Sequence, residues 1–389
     1  MRILTVLTYY RPHTSGLTIY AERIAKAFVA RGHEVTVLTS QFEKAIPLHE
    51  TVGGVKIIRS PVLFRLNKGV IMPWIGLQAT REVLRHDAIL LHLPQFDAAG
   101  ISLRGLLFKK PTIIAYHSDL ILPPGAFNRF VNLVVDVANR LTATFAHRIS
   151  TYTEDIATHS PYLSSYPQKV RVITPPVELE EAKLDDKAIF RFRHNPENRN
   201  TIGMATRFAS EKGVEVLLDA LPKVMEKHPN VKVLFAGQYE GVWGEQEYFD
   251  RLAPRIRELE AQGKWKFLGV LPLSDMPAFY ANLDVICVPS LNSTETFGFV
   301  QIEAMMNSVP SVASNLPGVR QPVKMTGMGE IIPIGAADAL ARAIIRILDN
   351  PEKYRGDCEA IRMQFSPISS AIRYEALFEE VRQELRRNH

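Results

Sequence analysis

The chain is poor in cysteine. Cys287 and Cys358 are the two present in 389 residues, too few for a disulfide framework or a zinc cluster, so a reducing, cytoplasmic compartment is the expectation. Cys287 lies in the apolar run Val285-Ile286-Cys287-Val288, where a buried structural thiol is expected rather than a reactive one. No stretch of ~18 uncharged apolar residues occurs, so no segment reads as a membrane span. Met1 to Leu7 is short and apolar without a cleavage-site pattern. It reads as a buried strand and not as a signal peptide. Neither half of the chain has Gly-x-Gly-x-x-Gly after a strand-like run, which argues against a nicotinamide dehydrogenase. No Asp-x-Asp pair stands at a strand end, so neither a metal nor a cofactor is expected. Internal repeats and low-complexity segments are also lacking.

What is present is the composition of a folded protein, 46% apolar and 22% charged. A chain of this length exceeds one ordinary core and suggests about two domains. The net charge of +5 fits a partner carrying phosphate, either a nucleotide or an anionic lipid surface, and equally a solvated basic surface. No nucleic-acid partner is expected.

Strand and helix patterns alternate through the first half. Ile3 to Thr8, Val35 to Thr39, Val55 to Arg59, Ala88 to Leu93, Thr112 to Tyr116 and Arg148 to Thr151 read as strands. Tyr20, Ile24, Ala27 and Phe28 recur at helical spacing, and Ile75 to Leu84 and Phe127 to Phe145 are further helical stretches. The pattern restarts at Asn200 to Ala205. Strands Val231 to Ala236, Trp265 to Leu268, Asp284 to Pro289 and Ser311 to Ser314 then alternate with helices Val214 to Lys227, Tyr248 to Gln262, Met276 to Ala281 and Phe299 to Met306. Such alternation predicts an α/β protein with two doubly wound parallel sheets. A boundary is expected near Thr174-Pro175-Pro176, where proline stiffens a hinge, and the polar stretch Arg191 to Asn200 leads into the second sheet. This gives domains 1–174 and 175–365. The C-terminal segment 366–389 carries one long helix, Ala371 to Arg387, expected to pack back on the first domain.

Ligands of open parallel sheets sit at the carboxyl ends of strands, and the motifs cluster at those turns. In Ser293-Thr294-Glu295-Thr296-Phe297-Gly298-Phe299-Val300-Gln301-Ile302-Glu303, a glycine turn between two glutamates opens a helix after a strand. Gly298 lets backbone approach a ligand, and the amides of Phe299 and Val300 suit a diphosphate. Glu303 would reach ribose hydroxyls and Glu295 the sugar. In Thr206-Arg207-Phe208-Ala209-Ser210-Glu211-Lys212-Gly213, Arg207 and Lys212 project where two cations neutralise a leaving diphosphate. His117 and Asp119 follow the strand Thr112 to Tyr116, and Ser15-Gly16 follow the first strand.

These segments resemble the retaining glycosyltransferases of family 4, which have the GT-B fold: two Rossmann-like domains facing across a cleft. The resemblance covers nearly the whole chain, and its hallmark is the Glu295–Glu303 spacing. It implies transfer of a hexosyl unit from a UDP- or GDP-linked sugar to a hydroxyl of a glycan or lipid-linked acceptor. It assigns Arg207 and Lys212 to the diphosphate and His117 to the donor sugar, through its ring or backbone carbonyl. Gly269, Val270 and Leu271 fall to the base, with a plain strand end as the alternative. Phe297, Gly298, Phe299, Val300 and Gly16 fall to the donor, and Ser15 and Asp119 to the acceptor side, with loop-holding an equal reading for Asp119. Ser15 departs from the family's usual pair of glycines, and Arg320-Gln321 stands where many relatives carry Pro-Glu. The family has no agreed nucleophile, which favours front-face displacement over two-carboxylate double displacement. Closure about Pro175 would exclude water. The alternatives are another GT-B activity, such as a phosphorylase or epimerase, and a non-catalytic partner subunit. Arg65 to Trp74 and Phe127 to Val135 mix cations with apolar groups. They suit either an acceptor groove or a peripheral contact with an anionic bilayer.

Overall fold

The first strand, β1 (Arg2–Val6), buries four consecutive side chains, as a strand covered by helices on both sides must. In the computed structural model, which describes residues 1–66, 69–119 and 126–387, the chain forms two compact units. One is Met1–Val177 with Gln364–His389, the other Glu178–Met363.

In the first unit β1 leads through α1 (Gly16–Ala30) to β2 (Glu34–Gln41). Short strands β3 (His49–Val52), β4 (Val55–Pro61), β5 (Phe64–Leu66) and β6 (Gly69–Ile71) come next. Then α2 (Ile75–Arg85), β7 (Ala88–Leu93), α3 (Ala98–Leu107), β8 (Thr112–Tyr116), α4 (Ala126–Phe145) and β9 (Arg148–Thr151) alternate, followed by α5 (Glu154–His159) and β10 (Val170–Val172). Eight of these strands form one sheet in the order β10-β9-β8-β7-β1-β2-β4-β3. Right-handed crossovers in this order put α2, α3 and α4 on one face and α1 on the other. Accordingly α3 packs against both α2 and α4.

An all-parallel sheet was the expectation, and β3 departs from it by pairing antiparallel with β4. The cause is the turn between them. Gly53 and Gly54 both have positive φ, 57° and 79°, the combination a two-residue hairpin needs. The other pairs in this sheet are parallel.

The second unit opens with α6 (Leu184–His194). The polar stretch from Arg191 is therefore not wholly a connection, since its first residues form the last turn of that helix. The unit continues with β11 (Asn200–Ala205), α7 (Val214–Lys227), β12 (Val231–Ala236), α8 (Gln246–Ala261) and β13 (Trp265–Gly269). Next come α9 (Met276–Tyr280), β14 (Val285–Val288), α10 (Phe299–Met305), β15 (Ser311–Ser314), α11 (Gln321–Thr326), β16 (Gly329–Ile332), α12 (Ala337–Asp349) and α13 (Cys358–Gln364). The sheet runs β13-β12-β11-β14-β15-β16, with every pair parallel. Cys287 in β14 is 1% exposed, and burial pushes its thiol pKa up, as suits a structural thiol.

The last helix, α14 (Pro367–Arg387), belongs to the first unit and packs against α1. Its buried Tyr374 hydroxyl lies 2.7 Å from the Tyr20 hydroxyl of α1 and 2.6 Å from Ser150 Oγ of β9. At its surface Glu375 accepts from Arg31 at 2.5 and 2.8 Å. Removing the Tyr374 hydroxyl takes the partner of the buried Tyr20 hydroxyl away, while Ser150 Oγ keeps the Ile114 carbonyl, at a cost of about 1–3 kcal/mol. We therefore expect Tyr374→Phe to lower the unfolding free energy by that amount, read as a lower urea midpoint at an unchanged m-value.

Candidate active site

The site residues of the second unit lie on turns at the carboxyl edge of its sheet. Two glycines bring the turns together. Gly213 has φ +70°, and a Cβ there would stand 2.1 Å from the Pro289 carbonyl oxygen beyond β14. Gly237 has φ +143°, and its Cβ would stand 1.9 Å from the Thr206 carbonyl oxygen. No other residue fits either place. Leu291 N–H donates to the Glu211 carbonyl at 2.9 Å, so the turn after β11 is joined to the one after β14.

That contact delivers Lys212 to Glu295. Lys212 Nζ donates to Glu295 Oε2 at 2.8 Å, while Glu295 Oε1 accepts from the Gly298 N–H at 2.9 Å. One carboxylate thus bridges an ammonium and the amide at the mouth of α10. Both side chains are largely buried, 15% and 25% exposed. Arg207 stands beside them, half exposed, and donates to Glu211 Oε1 at 2.5 Å. Burial alone would raise the Glu211 carboxyl. Its own backbone amide, Arg207 and Lys212 outweigh burial and hold it below its ordinary value.

Gly298 has φ +76° and caps α10. Phe297 beside it is buried, and Phe299 and Val300 are the helix's first residues. The turn is braced by Gln301, which the sequence reading did not assign. Its buried amide donates to the Phe297 carbonyl at 3.2 Å and the Val319 carbonyl at 2.8 Å, and accepts from Ser311 Oγ at 2.9 Å. Glu303 accepts from the Tyr280 hydroxyl at 2.7 Å, which fixes one of its oxygens. Gly269 ends β13 with φ +69°, and its carbonyl accepts from the Gly237 N–H at 2.8 Å. Val270 after it is 73% exposed, and Leu271 is half-buried. Arg320 caps α11 and donates to Asn315 Oδ1 at 3.0 Å. Nothing in the structure explains why Arg320-Gln321 stands here.

In the first unit His117 follows β8 and is 6% exposed. Its Nε2 lies 2.8 Å from His92 Nδ1, and its Nδ1 is hydrogen-bonded to the Tyr152 hydroxyl. Tyr20 meets the ring edge-on, with centroids 4.8 Å apart. Both ring nitrogens are thus engaged within the fold. A sugar held by the ring would have to replace one of these buried hydrogen bonds, whereas one held by the backbone carbonyl would not. His92 and Tyr152 were missed, although His92 is a lone polar residue in the apolar strand Ala88–Leu93. Asp119 accepts from the Tyr116 hydroxyl and from Ser160 Oγ, the latter at 3.0 Å, the contacts of a loop-holding residue. Ser15 caps α1 through a reciprocal pair with Thr18, at 3.2 and 2.7 Å. Its φ of −155° is one any residue adopts, so no glycine is needed there. Gly16 is the first residue of α1. A separate cavity of about 240 Å³ opens at the end of β7, lined by Ile75, Phe96, Asp97, Ile101 and Arg104 among others.

Residues 185–360 match the family described as Glycosyl transferases group 1, and residues 14–181 match Glycosyltransferase Family 4. The chain belongs to these group 1 glycosyltransferases. Among similar proteins, the phosphatidyl-myo-inositol mannosyltransferase of Mycobacterium leprae is 25% identical over 96% of this chain and 95% of its own. An uncharacterized glycosyltransferase of Methanocaldococcus jannaschii is 25% identical over 90% of each. The crystal structure of Anabaena HepE with UDP and glucose superposes with a TM-score of 0.76, covering 98% of this glycosyltransferase and 100% of HepE at 19% identity. Sucrose-phosphate synthase of Thermosynechococcus elongatus gives 0.74 over 98% of each chain at 18% identity. These likenesses establish the GT-B fold.

The histidine pair makes stability depend on pH. Burial lowers the His92 pKa to about 3, and burial together with the His92 charge holds His117 well below its usual value. Both rings are neutral in the folded chain, whereas an unfolded imidazole gains a proton below about 6.5. The unfolded state then binds more protons, so stability is lost as pH falls from about 6.5 toward about 3. We expect His92→Asn to shrink the difference in unfolding free energy between pH 7 and pH 5 by about 2 kcal/mol. Urea unfolding at the two pH values measures it. An unchanged difference would show that the ring is not held neutral.

Proposed function

We propose that this glycosyltransferase moves a hexosyl unit, with retention, from a nucleotide-diphosphate sugar to a hydroxyl acceptor by front-face displacement. The observation that carries the reading is the Lys212–Glu295–Gly298 bridge. An ammonium shared with one carboxylate, next to a half-exposed guanidinium, offers positive charge where a leaving diphosphate needs it. Arg207 and Lys212 take that charge, and no metal ion is required. The acceptor proton passes to the departing diphosphate oxygen, on the face from which the acceptor attacks. Glu295 holds Lys212 and the α10 turn in place and faces the sugar. Glu303, fixed by Tyr280, takes the ribose, and Gly269 to Leu271 take the base. The UDP and UDP-glucose bound by HepE support a nucleotide-sugar donor.

In the first unit, His117 serves the sugar through its backbone carbonyl, with the ring locked by His92 and Tyr152. The acceptor belongs to this unit. Its cavity beside Asp97 offers a carboxyl for hydroxyl groups, next to an exposed Phe96. Burial raises the Asp97 pKa to about 6.

Nucleotide diphosphate release from a panel of UDP- and GDP-sugars, with and without candidate acceptors, tests the reading. Lys212→Ala and Glu295→Gln should each lower turnover by about 100-fold or more, with folding checked by thermal unfolding. Release at wild-type rates in Glu295→Gln, or from none of the donors in the wild type, would overturn it.

A further inference from the structure

Helix α6 is apolar on two opposite sides. Inward, Phe190 is 7% exposed and meets Phe279 of α9 edge-on, with ring centroids 6.3 Å apart. Outward, Leu184, Ala188 and Phe192 recur at four-residue spacing, with Ile189 beside them. Leu184 and Phe192, at 83% and 81%, are the two most exposed large apolar side chains among the described residues. Ile189 is exposed as well. Fraying does not account for this, because the helix is fixed to the fold from Lys187 to His194. Asn282 donates to the Lys187 carbonyl and accepts from Arg191 Nε, both at 3.2 Å. Lys266 and Lys232 donate to the Arg193 and His194 carbonyls, at 3.0 and 2.9 Å. Leucine, isoleucine and phenylalanine held rigidly in water mark a contact surface.

The charges around this stripe say what covers it. Asp185 and Asp186 stand in the first turn of α6, and Arg191 and Arg193 in the last. All four are exposed. Among the described residues none of the four makes an ion pair within the chain. A helix that is acidic at one end and basic at the other is complementary to itself run in the opposite direction. A two-fold axis at Ala188 sets Leu184 of one copy against Phe192 of the other. It brings Asp185 and Asp186 beside the second copy's Arg191 and Arg193. Ala188, the smallest side chain of the stripe, then lies where the two helices come closest, so their backbones can approach. The two helix dipoles are antiparallel in the same arrangement.

We infer that this glycosyltransferase pairs with a second copy of itself through α6, antiparallel and isologous, with Ala188 at the two-fold axis. Eleven residues make a seam of about 16 Å. That is less than a standard interface of about 1,600 Å² requires, so the pairing is weak and concentration-dependent. No residue of the candidate active site lies on α6, and the inference does not rest on the donor reading. The two segments that sequence alone singled out for surface contact belong to the first unit. In Arg65 to Trp74, Asn67 and Lys68 lie outside the described residues, and Val70 and Met72 are buried in the fold. In Phe127 to Val135, the side chains of Phe127, Asn128 and Phe130 lie outside the described ones. Among the described residues no helix is long and apolar enough to span a membrane.

Sedimentation equilibrium over a concentration series tests the pairing. The wild-type mass should rise from one chain toward two between about 1 µM and about 200 µM. Leu184→Ser with Phe192→Ser should stay monomeric throughout, with thermal unfolding at about 1 µM unchanged. Charge reversal gives a sharper readout. Asp185→Lys with Asp186→Lys, and separately Arg191→Glu with Arg193→Glu, should each be monomeric alone, because like charges then meet at both ends. Mixed in equal amounts, the two variants should form a heterodimer, because each charged end again meets its opposite. Ala188→Cys, in a chain that also carries Cys358→Ser, should give a disulfide-linked dimer on mild oxidation, since a residue at the axis meets its own copy. A wild-type chain that stays monomeric across the series overturns the inference. So does a dimer that survives the serine variant, and so do reversed-charge variants that fold but fail to pair on mixing.

Discussion

A lysine ammonium and a glutamate carboxylate 2.8 Å apart hold the turns of the second unit's candidate site together. The pair is demanding because it is mostly out of water. A largely buried charge needs a partner and further hydrogen bonds, and Glu295 supplies both by also accepting from the Gly298 amide. The bridge fixes the turn after β11, the turn after β14 and the start of α10 relative to one another. It stands only because Gly213 and Gly237 let backbone pass within a distance that any Cβ would block. The chemistry of the site thus depends on backbone packing at residues that carry no chemistry.

The first unit applies a related principle with uncharged groups. His92, His117 and Tyr152 form a buried hydrogen-bonded row, and Tyr20 packs against it while bonding to Tyr374 of the last helix. Burial keeps the imidazoles neutral, so the row orients its groups without placing a charge in the core. The last helix is thereby tied to the residue beside β8, through Tyr20, although some 250 residues of sequence separate them.

Much of the architecture was legible because its signal is local. Strands such as Thr112–Tyr116 and Asn200–Ala205 are apolar runs bounded by polar residues, and Val214–Lys227 carries one apolar stripe. What escaped had a misleading local signal. Helix α3, Ala-Ala-Gly-Ile-Ser-Leu-Arg-Gly-Leu-Leu, is apolar around its circumference and holds two glycines, so no stripe marks it. The antiparallel β3 is four residues of mixed character, set by the Gly53-Gly54 turn. Ser15 looked like a loss of glycine, yet its backbone conformation never required one.

The sequence by itself determined the two α/β units, the turns on which chemistry falls, and the Glu295–Glu303 element with its basic companion Arg207–Lys212. Those features rest on periodicity and on residue type within a few positions. Only the tertiary structure decided that Lys212 is shared with Glu295, that the His117 ring is locked from behind by His92 and Tyr152, and that α6 buries Phe190 while leaving Leu184 and Phe192 bare. Each of these is a contact between segments far apart in the chain, or the exposure of a face that no other segment covers. Spacing along a sequence cannot express either, because burial and distance are set by which elements pack together.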